Sequence, residues 1–209
     1  MNKKNKDVIE QETDSKKYQE MQKLGDSYTA LGDYNQAQKC YEKAASLNPD
    51  EADPYVGLGI IDFQQDLLDN AEIAFRVACR LDPNSSRAYA GLAMVAQKKG
   101  DYDKAFEMYL KCLELNTDNL NVLLGLFQIS CKMGSFGKII HYLQVYLDMH
   151  PQDSSVMFSL AALYVKEGRL EQAKKLLGDI LTLDRENTDA ANLLEEVNHC
   201  LAQKQQAGV

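Results

Sequence analysis

Nowhere in its 209 residues does the chain carry an apolar run approaching the roughly 18 residues that a membrane-spanning helix needs. Its opening, MNKKNKDVIEQETDSKK, is basic but lacks the apolar stretch of a secretory signal. No segment alternates polar and apolar residues with period two, so no sheet is expected. The five cysteines are odd in number and never spaced C-x-x-C, which speaks against a disulfide framework. Such thiols read as small buried hydrophobes in a reducing compartment, and the expected location is the cytoplasm. The net charge of −8 argues against a general nucleic-acid binder, because phosphate attraction needs a basic face. Short runs such as Lys98-Lys99 and Lys174-Lys175 read as solvated helix faces.

What the chain does have is repetition. "LGDYNQAQKCYEKAASLNPD" from Leu31 and "KKGDYDKAFEMYLKCLELNTD" from Lys98 say nearly the same thing, with Gly32 and Gly100 offset by 68 residues. "EGRLEQAKKLLGDILTLDRE" from Glu167 follows at the same offset, and further copies fall halfway between. The period is therefore 34, with copies at 18–51, 52–85, 86–119, 120–153 and 154–187. A fixed period of this size means stacked supersecondary units, none of which buries its apolar face alone.

Each copy reads as two helices. In the third, Tyr89, Leu92, Ala93 and Ala96 make one apolar stripe, and Ala105, Tyr109, Cys112 and Leu113 make another. Gly100 separates them as a residue free to take positive φ, and Asp101 and Asp103 are candidate caps of the second helix. Asp53 followed by Pro54 reads as a cap and first turn, and Pro83 stands where the preceding helix must stop. After the last copy, Ala190, Leu194, Val197 and Leu201 share one face of a terminal capping helix within 188–209. Residues 1–17 are set apart as an N-terminal arm, read as flexible, as a frayed helix, or as a segment that pairs with a neighbour.

This pattern resembles the tetratricopeptide repeat family, which favours particular residues at repeat positions 4, 7, 8, 11, 20, 24, 27 and 32. The first copy supplies Met21, Leu24, Gly25, Tyr28, Ala37, Tyr41, Ala44 and Pro49 there; the second supplies Tyr55, Leu58, Gly59, Asp62, Ala71, Phe75, Ala78 and Pro83. The third gives Tyr89, Leu92, Ala93, Ala96, Ala105, Tyr109, Cys112 and Thr117, and the fifth returns to pattern except for Arg185 in place of proline. The fourth departs most, since Phe127 and Ile139 stand where small residues let paired helices approach, and wider packing is expected there. The resemblance implies an all-α, right-handed superhelical solenoid of five helix-turn-helix repeats plus the cap.

Chemistry-bearing motifs are sparse. The "GLG" of Gly57–Gly59 lacks the strand and third glycine of a dinucleotide turn, and Gly59 reads as the small packing residue of its repeat. Asn84-Ser85-Ser86 is a sequon only in form, at the turn between repeats. His141, His150 and His199 have no zinc-ligand spacing, and Ser135 with Lys138 is a short chance pattern. No enzyme, metal or cofactor is expected.

The resemblance implies instead a concave groove lined by the first helix of each repeat. Carried over, it names Gln22, Asp26, Val56, Ile60, Phe63, Gln64, Arg87, Met94, Gln97, Leu124, Gln128 and Phe158. The apolar members form a set in excess of core needs, as a binding surface would, with Ile60 and Leu124 the two most open to turning into the core instead. The cationic clamp by which relatives hold chaperone C-termini is missing in every frame; the first gives Gln22, Asp26, Gly57, Arg87 and Gly91. The expectation is a non-catalytic adaptor for a peptide or helical segment. The alternatives are a self-assembling scaffold, a homo-oligomer joined through the arm or convex face, and a chaperone for a secreted protein.

Overall fold

The computed structural model describes the backbone of residues 3–206 and the side chains of 14–204. The described residues form helices alone, in two compact units, 1–116 and 117–209. The first unit holds α1 (Lys3–Ala30), α2 (Tyr34–Leu47), α3 (Asp53–Gln64), α4 (Leu68–Leu81), α5 (Ser86–Lys99) and α6 (Tyr102–Leu115). The second holds α7 (Leu120–Met133), α8 (Gly137–Met149), α9 (Ser154–Lys166), α10 (Leu170–Leu183) and α11 (Thr188–Gln206). None is long and apolar enough, among the described residues, to cross a membrane. The backbone of 3–17 continues α1 without a break into the first repeat. What the arm's side chains before Asp14 touch lies outside the described residues.

Local signals place the helix ends. Asp33, Asp101, Asn119 and Asp153 each cap the helix that follows by accepting from a backbone N–H of its first turn, at 3.2 Å from Gln36, Lys104, Val122 and Val156. Ser85 does the same for α5. Asp103 is not a cap but an acid in the first turn of α6, where the helix dipole favours it. The cap of α3 also falls one residue early. Ala52 holds that position without a side-chain bond, and Asp53 is the first helical residue beside Pro54. Positive φ occurs at Gly32, Asp66, Gly100, Gly134 and Gly168, five turns spaced by 34 residues, one of which is made by an aspartate.

Packing follows the small-and-aromatic pattern. Ala37, Ala44, Ala71, Ala78 and Ala105 are fully buried, and Tyr41, Phe75 and Tyr109 are almost so. In the first unit α3 packs between α2 and α4, and α5 packs on α3, α4 and α6. In the second unit Leu123, Leu126, Ile139, Leu143, Leu160, Leu177 and Ile180 fill the interior. The α7 and α8 backbones run close together over a shorter stretch than those of α1 and α2 or α5 and α6. Ile139 is buried there, at the register where the other pairs have alanine. At the end, α11 packs on α10 and α9, burying Ala190 and Val197 and half-burying Leu194 and Leu201.

Candidate functional site

Two ion pairs pin α5 against α3 along one edge of the first unit. Arg87 Nη1 lies 3.3 Å from Asp53 Oδ1 near the helix starts, and Lys98 Nζ lies 2.7 Å from Asp66 Oδ1 near their ends. Lys98 also sits 5.1 Å from the centre of the Phe63 ring, a cation–π contact. Both pairs are about half exposed, so they register the helices more than they stabilise them. Seven residues after Arg87 and four before Lys98, Met94 falls on the same stripe of α5, and 42% of it is exposed.

The polar members of the predicted set have two kinds of duty. Asp26 accepts from the Tyr41 hydroxyl at 2.8 Å, and Gln97 accepts from the Tyr109 hydroxyl at 2.6 Å. Burial first, then the hydrogen bond and charge of Asp26, push the Tyr41 phenol up to about 12, so it stays a donor. Tyr18 on α1 is pushed up to about 12 as well, by burial and then by Glu51, Asp53 and Asp26. α1 packs beside α3. Gln22 is half-buried, with a buried Oε1 that has no hydrogen-bond partner among the described residues. Gln64, Arg87 and Gln128 are exposed.

The apolar members sort differently from expectation. Val56 is wholly buried in a core with Ala71, Phe75, Ala88 and Leu92, so it offers no surface. Ile60 and Phe63 are half-buried and pack on that same core. Leu124, thought open to turning inward, is 41% exposed instead. In the second unit Leu124 and Gln128 are one turn apart on α7, and Phe158 is half-buried on α9.

Gly57 was missed as a packing residue. With Gly25 it flanks the Tyr41 ring, and Gly59 with Gly91 flanks Phe75. The signal was there, since Gly57, Gly91 and Gly125 recur at the 34-residue period.

Burial pushes the Cys79 and Cys112 thiols up to about 11, which suppresses the thiolate a nucleophile needs. His150 Nε2 lies 2.6 Å from Asp118 Oδ1, and its ring centre lies 4.5 Å from that of Tyr146. No group of three or more His, Cys, Asp or Glu able to hold a metal occurs among the described residues.

Helix pairs with this turn register and this alanine-and-aromatic packing define an all-α helical-repeat protein. The chain belongs to the tetratricopeptide repeat family: models of that repeat match residues 25–66, 86–119 and 132–197, together more than half of the chain. Comparison with curated proteins returns no match. Among solved structures, pilF of Pseudomonas aeruginosa is similar at a TM-score of 0.70 and 19% identity, over 94% of this chain and 89% of that one. MamA gives 0.64 and 20%, over 82% and 94%. YrrB, described as a TPR protein with an unusual peptide-binding site, gives 0.63 and 15%, over 84% and 90%. At these identities the likeness is one of fold. The family makes the protein a scaffold for protein–protein interaction.

Proposed function

We propose that the protein is a non-catalytic adaptor that binds a peptide or helical segment along the side carried by its first helices. The observation that carries this reading is Met94, exposed on the stripe of α5 whose two ends are pinned to α3 by Arg87–Asp53 and Lys98–Asp66. An unbranched, polarisable side chain on a rigid frame adapts to different apolar anchors. Around it, half-buried Ile60 and Phe63 supply apolar floor, and exposed Gln64 and Arg87 supply hydrogen bonds at the rim. In the second unit, treated by itself, exposed Leu124 and Gln128 on α7 and half-buried Phe158 on α9 offer side chains of the same kinds. The peptide-binding site named for YrrB supports the partner class, though not its sequence.

No frame supplies the full cationic clamp, Arg87 being its one cation in the first, which argues for apolar anchors over an acidic C-terminus as the recognised feature. A photo-crosslinking residue placed at 94 tests the reading, with one at exposed Leu183 on α10 as control. A polypeptide crosslinked from 94 and not from 183 is the expected result. Equal labelling from both positions would contradict it.

A further inference from the structure

Away from the first-helix side, a cleft of about 370 Å³ opens over α3, between Gln38 and Glu42 of α2 on one side and Ile73 and Val77 of α4 on the other. Leu58 and Asp62 of α3 line it from below. Ile73 leaves 62% of its surface open at the mouth.

Asp62 is the unusual member. It stands 34 residues after Tyr28 and 102 before Tyr164 in the repeat register, with Ala96 and Ser130 at the two positions between. Tyr28 packs on the Ala37, Tyr41 and Ile61 cluster, and Tyr164, Ala96 and Ser130 are buried. At this one register position, then, an interior side chain has been replaced by a carboxylate, in a recess whose apolar walls also carry Gln38, Glu42 and Asn70. No hydrogen bond or ion pair reaches that carboxylate among the described residues, and burial pushes its carboxyl up from the usual range. Glu42 at the wall accepts from Gln38 Nε2 at 2.8 Å.

We propose that this cleft is a second binding site, which takes a lysine or arginine side chain of a partner protein, its cation on Asp62 and Glu42 and its aliphatic stem on Ile73 and Val77. Lysine and arginine carry an apolar stem under a charged head, which matches an apolar wall with a carboxylate below. A cation brought to Asp62 favours its ionised form, which burial disfavours, so charge recognition and apolar contact reinforce each other. The site is separate from the first-helix side and does not depend on what binds there.

The test titrates the isotope-labelled full chain with acetyl-Leu-Arg-Leu-amide and with its neutral isostere, in which citrulline replaces arginine. The arginine peptide is expected to shift the amides around Asp62, Ile73 and Val77 saturably, at least about tenfold tighter than the citrulline peptide. Asp62→Asn should erase that difference, and Asp62→Tyr, which fills the recess with the side chain found at this register elsewhere, should abolish binding. Ile73→Lys, an exposed change, should also abolish it and keeps the test valid if the Asp62 variants fold poorly. Equal affinity for the two peptides, shifts confined to the first-helix side, or undiminished binding by Asp62→Asn would each overturn the proposal. So would shifts of the same amides with the protein's own concentration, which would make a second copy the occupant.

Discussion

The ring of Tyr41 lies so close to Gly57 that a Cβ built there would meet Cζ at 2.4 Å, and one built at Gly25 would meet Cε1 at 2.5 Å. Phe75 stands in the same relation to Gly59 and Gly91, at 2.7 and 2.4 Å. One aromatic side chain thus wedges between two consecutive first helices, and glycine on both sides lets it.

This wedge inverts the usual effect of removing a helical glycine. In an open helix Gly→Ala stabilises by about 1 kcal/mol, and Gly178→Ala on α10, with nothing within 4 Å, should follow that rule. Gly57→Ala and Gly91→Ala should instead destabilise by roughly 1–3 kcal/mol, the cost of overpacking a filled core. Denaturant midpoints of the three variants check the opposite signs.

Asp66 is the one non-glycine among the positive-φ turns, at φ 64°. Asp66→Gly relieves that backbone, worth about 1 kcal/mol, and removes an exposed ion pair with Lys98 worth about 0–1 kcal/mol. A small rise in melting temperature is expected. Gly100→Ala, at φ 81°, should lower it by a comparable or larger amount.

Glu72 accepts from Lys104, Lys99 and Arg76, and these bonds, Lys104 foremost, hold its carboxyl down at about 2. A depressed folded pKa gives stability that is fully present above the ordinary glutamate range and lost as pH falls toward 2. The melting temperature of Glu72→Gln should therefore differ from wild type at pH 6 and converge on it near pH 2. A gap that stayed constant with pH would count against this network.

Val56 and Met94 divide interior from surface among the first-helix residues. Val56→Ala, in a fully buried position, should cost about 1–3 kcal/mol, whereas Met94→Ala should stay within about 0.5 kcal/mol. Phe63→Ala should fall between them, because Phe63 is half-buried against the α3–α5 core. Thermal melts of the three rank the account directly.

The repeat made most of the fold legible. Period, turn glycines and the alanine-aromatic pairing located each helix, and Ile139 announced the wider α7–α8 pair. The binding surface was harder to read, for a physical reason. Positions carried over from a repeat register fix a helix face but not how deeply the neighbouring helix covers it. Val56 was lost to the core in this way because Phe75 and Leu92 close over it, while Leu124 stayed open. The Asp62 cleft was equally visible as a break in register, yet a carboxylate in an apolar stripe reads as a simple departure from pattern until its walls are seen.

The most direct test of the adaptor reading compares affinity capture by wild type, Met94→Asp and Leu183→Asp, an exposed apolar position on α10, each first checked to melt within a few degrees of wild type. A charge at 94 puts an unpaired carboxylate into an apolar contact, a change that costs a bound partner several-fold or more in affinity. Loss of specifically recovered polypeptides with Met94→Asp, and their retention with Leu183→Asp, is the predicted result. Full recovery by Met94→Asp would contradict the account, because the first-helix side would then not be where the partner binds.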